Sequence, residues 1–367
     1  VYCSINKRIK LIMAYTTIKN PKLHFNTVLY TGNNSSPRTI TGVGFQPDMN
    51  WSKIRSESND HWVSDAVRGS NKIIRPNGND DELVNGSGGY ISSFNNDGYV
   101  IAAGSGNNNN FNKSSGTMVS FNWKAGGGQG SSNTDGSINT TYTSVNTTAG
   151  FSISTYTGVG GSATVGHGLG AVPKMVITKS LNANDSWYIY HAGMGNNKSI
   201  VLNTAAANYT SVNWNSTTPT TSVFSVGAGD ANTSGRNFVA YCFAEKTGYS
   251  KFGTFVGNGT AYPNSPFIYL GFKPSFFMWK NINEGGGDDN WNMVNAEAQQ
   301  YNIQDAGYIQ ANNATGENGF GANEINFLSN GVKIDKASSY HNQNGQTYIY
   351  MALAEQPLIG DNPATAR

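Results

Sequence analysis

Short apolar runs, each bounded by Gly, Asn or Ser, recur along the chain. Met175-Val176-Ile177-Thr178-Lys179 and Phe276-Phe277-Met278-Trp279-Lys280 are two of them, and Phe238 to Phe243 and Tyr348 to Leu353 are almost unbroken. A continuous apolar run fits a strand buried on both faces. Short length, β-branching and flanking turn residues select strand over helix. About six such strands per hundred residues predict an all-β chain of β-sandwich, jelly-roll-like modules.

The runs fall into three copies of one order. Gly-x-x-Pro, five residues and then Lys occurs at Gly44, Pro47 and Lys53, at Gly170, Pro173 and Lys179, and at Gly271, Pro274 and Lys280. Ahead of each stands an aromatic-x-Gly, at Tyr30 to Gly32, Tyr156 to Gly158 and Phe255 to Gly257. Behind each stands Asp-x-Trp: Asp60 with Trp62, Asp185 with Trp187, and Asp289 with Trp291. A Phe follows, near Phe94, Phe224 and Phe327. Each copy then closes on an apolar run, and nine residues separate Gly116 from Ala125, Gly235 from Ala244 and Gly345 from Ala354. Repetition of this kind is the signature of a repeated structural unit. The predicted organisation is a leader over residues 1–25, modules over 26–125, 147–246 and 247–356, and a tail over 357–367. Residues 126–146, rich in Gly, Ser, Thr and Asn, read as a flexible linker with a short ordered part at Ser137 to Tyr142. The tail reads as extended.

Composition sharpens the picture. Of 367 residues, 49 are Asn and 44 are Gly, which suits many tight turns. Hydrophobic residues reach only 37% and charged residues 13%, but aromatics reach 12%, which argues against disorder and for aromatic-filled β faces. The net charge of +2 supplies no basic field for nucleic acid. Two cysteines, Cys3 and Cys242, do not make a disulfide framework. No apolar run is long enough for a membrane-spanning helix. At the start, Lys7, Arg8 and Lys10 precede the apolar stretch Leu11 to Tyr15, which is shorter than the ~7–15 apolar residues of a signal peptide plus its flanks and soon meets Lys19. Translation is expected to begin at Met13. The other reading of residues 1–12 is a disordered basic arm.

Catalytic constellations are missing from the pattern. His24, His61, His167, His191 and His341 form no metal-spaced pair, and Gly126 to Gly130 lacks the Lys-Ser or Lys-Thr of a phosphate loop. Glu245 and Glu355 recur at equivalent positions, as do Asp60, Asp185 and Asp289, and recurrence in every copy points to the fold before a glycosidase pair. Asp288-Asp289-Asn290 and Asn95-Asn96-Asp97 have the oxygen ligands Ca²⁺ takes but match no complete loop, so no cofactor is expected. The candidate ligand site is the Asp-x-Trp corner of Asp60, Trp62, Asp185, Trp187, Asp289 and Trp291. A Trp face beside a carboxylate can stack on a sugar ring and hydrogen-bond its hydroxyls. The competing reading has each Trp packed at a sandwich edge and each Asp ordering a turn.

Thr164 to Lys179 resembles a strand motif of many phage tail-fibre proteins. Gly44-Phe45-Gln46-Pro47-Asp48, Asp65-Ala66-Val67-Arg68-Gly69, Phe238 to Glu245, Tyr348 to Glu355 and Pro363 to Arg367 look like a repeat family in phages of marine bacteria, including cyanophages and pelagiphages. The similarity runs from Met13 to Arg367. It implies a virion structural or tail-fibre-like protein, located on the virion, and carries no catalytic residue. The first copy departs from the others, with Asn122-Trp123-Lys124 where they have Cys242-Phe243 and Ala352-Leu353. The expected function is non-enzymatic: a tail fibre or adhesin, with other virion proteins, copies of itself (a trimer) and a host surface glycan as partners, and neither nucleic acid nor membrane insertion. The alternatives are an architectural virion part, such as capsid decoration or a fibre shaft, and a lectin-like surface protein.

Overall fold

A computed structural model describes residues 15–107, 109–286, 289–299, 307–319, 325–337 and 340–365. The proposed start at Met13, Cys3 and Asp288 lie outside them. The fold is all-β. Three large antiparallel sheets share one strand order, to which the second adds Tyr142–Asn146 as an extra edge strand ahead of its unit's first strand. The first runs Phe25–Thr31, Thr117–Trp123, Met49–Ile54, Trp62–Asp65, Gly69–Ile74, Leu83–Val84. The second runs Tyr142–Asn146, Phe151–Thr157, Asn237–Ala244, Pro173–Ser180, Trp187–His191, Lys198–Val201, Tyr209–Thr210. The third runs Ser250–Val256, Thr347–Pro357, Phe272–Asn281, Asn292–Asn295, Gly307–Gln310, Asn318–Gly319. The last long strand of each unit thus inserts between its first and third elements.

A small sheet accompanies each large one. Arg38–Ile40, Gly98–Ala102 and Tyr90–Asn95 form one, Ala163–Gly166 and Val223–Val226 the second, and Phe267–Tyr269, Gly331–Ile334 and Ile325–Leu328 the third. Each small sheet covers one face of its large sheet over a local apolar core. The two layers are unequal, and the large sheet carries a consecutive meander. This differs from the jelly-roll-like arrangement expected, in which two Greek keys fill two comparable sheets.

The other face of all three large sheets meets in one shared core. Phe121, Trp123, Phe151, Phe243, Phe252 and Phe276 belong to it, from all three units. Phe276 lies 5.7 Å from Phe25, 5.1 Å from Phe121 and 6.2 Å from Trp123, ring centre to ring centre. Trp123 lies 6.5 Å from Phe151, and Phe243 lies 6.1 Å from Phe252. Alternation along the closing strands explains why they are nearly continuously apolar. Phe238, Ala240 and Cys242 face the second unit's local core, while Val239, Tyr241 and Phe243 face the shared one. Tyr348, Tyr350 and Ala352 alternate with Ile349, Met351 and Leu353 in the same way. The units are therefore sectors around a common interior.

Two repeated glycines have plain steric reasons. A Cβ on Gly32, Gly158 or Gly257 would stand 1.8, 2.3 or 2.2 Å from a backbone carbonyl oxygen, of Lys113, Thr233 and Gln343 respectively. Gly44, Gly170 and Gly271 of the Gly-x-x-Pro repeat all adopt φ between +64° and +83°, the left-handed region that side chains disfavour. In the second and third units the repeat Pro stands where the strand register shifts, a position that tolerates its missing N–H.

Three boundary expectations need correction. Residues 126–146 are not a free linker: the buried Asp48 carboxylate accepts the amides of Ala125, Gly127 and Gly128 at 2.6, 3.0 and 2.7 Å. Further on, Ser131 pairs with Thr143, Ile138 is buried beside Val165, and Tyr142–Asn146 is a strand of the second sheet. The leader's last part belongs to the fold, since Ile18 enters the shared core and the Tyr15 hydroxyl donates to Gly271 O at 2.8 Å. The tail folds back, with Ala364 N bonded to Pro357 O and Asp361 N to Lys19 O. In each case backbone donors in a polar segment found fixed acceptors, which composition alone does not disclose.

Candidate functional site

The Asp-x-Trp corner and the repeat lysine are two halves of one hairpin. Lys179 pairs directly with Trp187 across antiparallel strands. Lys53, Lys179 and Lys280 are all fully buried, and each ammonium donates to the carbonyl of the next residue at 2.5, 2.7 and 2.5 Å. Burial lowers each pKa to about 8, against the pull of nearby carboxylates that include Asp60, Asp185 and Asp289 respectively. The aspartates are engaged. Asp60 accepts from Arg75 and Asn77, Asp185 from Arg236 and Tyr188, and Asp289 from Asn281 and the Gly286 amide.

The tryptophans present no open face. Trp187 is 2% exposed, Trp291 1% and Trp62 6%. Trp187 Nε1 donates to Arg75 O of the first unit, and Trp291 Nε1 to Val201 O of the second, both at 2.9 Å. These indoles fasten one unit to the one before it, so the sugar-stacking reading of Asp60, Trp62, Asp185, Trp187, Asp289 and Trp291 does not hold. Stacking needs a ring face that water, and hence a sugar, can reach.

Register also corrects the repeat. Val63, Ile189 and Met293 stand opposite Trp51, Ile177 and Met278. Counting back two residues from each, the counterpart of Trp187 and Trp291 is His61, and Trp62 turns instead into the first unit's local core. His61 accepts from Trp51 Nε1 at Nδ1, 3.0 Å away, which leaves its proton on Nε2. Nε2 closes no bond of ordinary geometry, but the Gln310 and Asn313 carbonyls of the third unit act on it. Burial, aided by Lys53, drives its pKa down to about 3 against those carbonyls.

The seams therefore close a ring. Glu82 N donates to Leu181 O, Asn208 N to Ile282 O and Glu317 N to Arg55 O, and each acceptor stands two residues past a repeat lysine. A head-to-tail contact repeated with a rotation that closes gives a ring, here within one chain. The first seam adds a buried charge network: Arg68 holds Asp65 at 2.5 Å and Glu82 at 3.0 Å, and Tyr241 of the second unit donates to Asp65 at 2.7 Å.

Other sequence candidates are structural too. Asp97 accepts the Gly42 and Gly44 amides, Glu245 the Phe252 amide, and Glu355 pairs with Lys273 at 2.8 Å. Among the described residues no group of three or more His, Cys, Asp or Glu is placed to hold a metal, and no helix is long and apolar enough to cross a membrane. Cys242 is free and buried, with its thiol pKa raised by desolvation.

One surface does present aromatic rings. On the outer face of the third unit's small sheet, Phe267 is 45% and Tyr269 52% exposed, with Ile268 between them turned into the core. Tyr262, 70% exposed, adjoins them in the preceding loop. The Lys333 ammonium lies 5.7 Å from the Tyr262 ring centre and is steadied by Pro263 O and Ser265 O; Lys251 lies 5.4 Å from that of Tyr269. Lys333 also stands opposite Phe267 in the sheet. The loop is tied down by Asp335, whose carboxylate accepts from Ser265 and Asn326 and whose carbonyl accepts from Tyr262 N. Sequence reasoning missed this surface. The signal was the alternation Phe267-Ile268-Tyr269, large apolar residues on both faces of a strand at the edge of a sheet.

A family model described as a domain of unknown function, DUF7483, matches residues 20–357. The chain belongs to this family. The DUF7483 match spans all three sectors, from the turn preceding the first strand to the end of the last, so the family's unit is the closed ring and not a single repeat. No curated protein and no solved structure matches the chain.

Proposed function

We propose that this chain is a non-enzymatic structural protein of a phage virion, a tail-fibre or adhesin component that contacts the host surface. The observation that carries the reading is the closed ring. The repeated Lys and Asp side chains, which in an open cleft would suggest chemistry, are buried or bonded inside their own units, and Trp187 and Trp291 fasten neighbouring units together. A rigid body with short, polar outer loops suits presentation of a recognition surface. The resemblance of Thr164 to Lys179 to a tail-fibre strand motif supports the same reading. The test is binding of the purified full chain to candidate host cells, with competition against phage adsorption. Saturable binding that blocks adsorption supports the adhesin. A folded protein that does neither overturns it in favour of a purely architectural virion part. Light scattering on the same sample tests the expected homo-oligomer, a trimer.

A further inference from the structure

We infer that the outer face of the third small sheet is a recognition site for an acidic polysaccharide, with Tyr262, Phe267 and Tyr269 as the stacking platform and Lys251 and Lys333 as the anion contacts. The inference deepens the adhesin reading and rests on it. Three aromatic side chains, between 45% and 70% exposed, stand on this face and its adjoining loop. Phe267 and Tyr269 project from alternate positions of one strand, and Tyr262 is joined to them through Lys333. Exposed rings in contact with water have an unfavourable apolar face, and a pyranose ring covers such a face while leaving its hydroxyls hydrated. The rings are held in place. The Phe267 ring lies where a Cβ on Gly331 would be 2.9 Å from it, and Tyr269 neighbours Tyr15, whose hydroxyl is fixed on Gly271 O.

Charge selects the class of sugar. Neither Lys251 nor Lys333 makes an ion pair with a carboxylate among the described residues; both lie over the rings. The surrounding acids are already engaged: Asp335 by Ser265 and Asn326, Glu245 by the Phe252 amide, and Glu355 by Lys273. The face thus offers two cations beside rings, while the carboxylates of the neighbouring described acids are held by other partners, and this complements a carboxylated sugar. Nucleic acid would share the stacking and the charge, but it needs a basic track along many phosphates, and the chain's net charge is only +2.

The experiment uses the full chain with a polyuronate oligosaccharide, a neutral glucan of equal length and a single-stranded oligonucleotide, measured by calorimetry. Saturable binding of the polyuronate in preference to the other two is expected. Phe267→Ala with Tyr269→Ala should weaken it by about tenfold or more, a difference of ~1.4 kcal/mol or more. Lys251→Gln with Lys333→Gln should remove the preference for the acidic over the neutral sugar. All four substitutions lie on an exposed face, and a thermal midpoint near wild type confirms that the ring is intact. Equal affinity for the neutral glucan, preference for the oligonucleotide, or unchanged binding in the aromatic variant each overturns the site. Host-cell binding that survives in the aromatic variant overturns this site but leaves the adhesin reading standing, whereas loss of cell binding by wild type itself removes both.

Discussion

The first and third units place the same backbone around different interiors. Positions facing the third unit's local core hold Phe277, Trp279, Tyr350 and Ala352. Their counterparts in the first unit are Asn50, Ser52, Ser120 and Asn122, all fully buried. There, Asn50 donates to Ser120 and to Asn122 at 2.8 Å each, and Ser52 donates to Asn50 at 2.7 Å. The same unit uses His61 at its seam where the others use Trp187 and Trp291. Yet its face toward the shared core, Met49, Trp51, Val119, Phe121 and Trp123, is as apolar as theirs. A local interior can be filled by aromatic rings or can hold a hydrogen-bonded polar ladder beside a smaller apolar cluster, because each small sheet closes over it independently. The shared core meets three sheets at once, and its facing positions in all three units are filled by apolar and aromatic side chains.

Substitutions at the seam should separate the units most. Trp291→Ala removes a large buried side chain and should cost about 3–5 kcal/mol, read as a lowered urea midpoint at constant slope. His61→Ala, at the matching position, should cost about 1–3 kcal/mol, chiefly by leaving the Trp51 N–H without its acceptor. Equal losses would remove the distinction between the two kinds of seam.

The polar ladder comes next. Asn122→Ala should cost about 1–3 kcal/mol because Asn50 keeps a buried donor with one acceptor fewer. Cys242→Ala, the same position in the second unit, should cost about 1 kcal/mol, for loss of one packed atom. Grafting the second unit's pair, Asn50→Val with Asn122→Cys, should cost less than the sum of its single changes by about 1 kcal/mol. Strict additivity in this double-mutant cycle would mean that the ladder is not a network.

The seam histidines set the acid response. Burial holds His61 near 3 and His191, beside Tyr350 O, near 4, both below the ordinary 6.5. Between those values the unfolded chain binds more protons, so their contribution is complete above pH 6.5 and is lost as pH falls toward 4 and 3. His61→Phe should flatten the fall in unfolding free energy between pH 6.5 and 4. An unchanged slope would take His61 out of the acid response.

The smallest effect lies on the alkaline side and should be alike in all units. Each repeat lysine, held near 8 against an ordinary 10.5, gives a folded chain that binds fewer protons than the unfolded one between those values. Stability should rise with pH through that window, until the buried tyrosines, whose pKa values burial raises, oppose it above about 10. Lys280→Met should shrink the rise between pH 8 and 10 in chemical denaturation, and no change in it would show that the ammonium is solvated at no cost.

The all-β character and the central place of Phe238 to Phe243 and Tyr348 to Leu353 were legible in the sequence, because alternation onto two buried faces leaves a continuous apolar run. Gly32, Gly158 and Gly257 recur because a neighbouring carbonyl excludes any Cβ, and that recurrence is visible without knowing the cause. The candidate site was not legible. Trp187 and Trp291 recur because each closes a seam with the preceding unit, and a linear match placed Trp62 where His61 belongs, since a one-residue offset reverses the face of a strand. Only tertiary structure decided which aromatic side chains are covered. Trp187 and Trp291 are buried because another unit lies against them, while Tyr262, Phe267 and Tyr269 stay exposed because none does. Local sequence determines a strand's pattern of faces, but which face meets another sheet depends on contacts a hundred residues away.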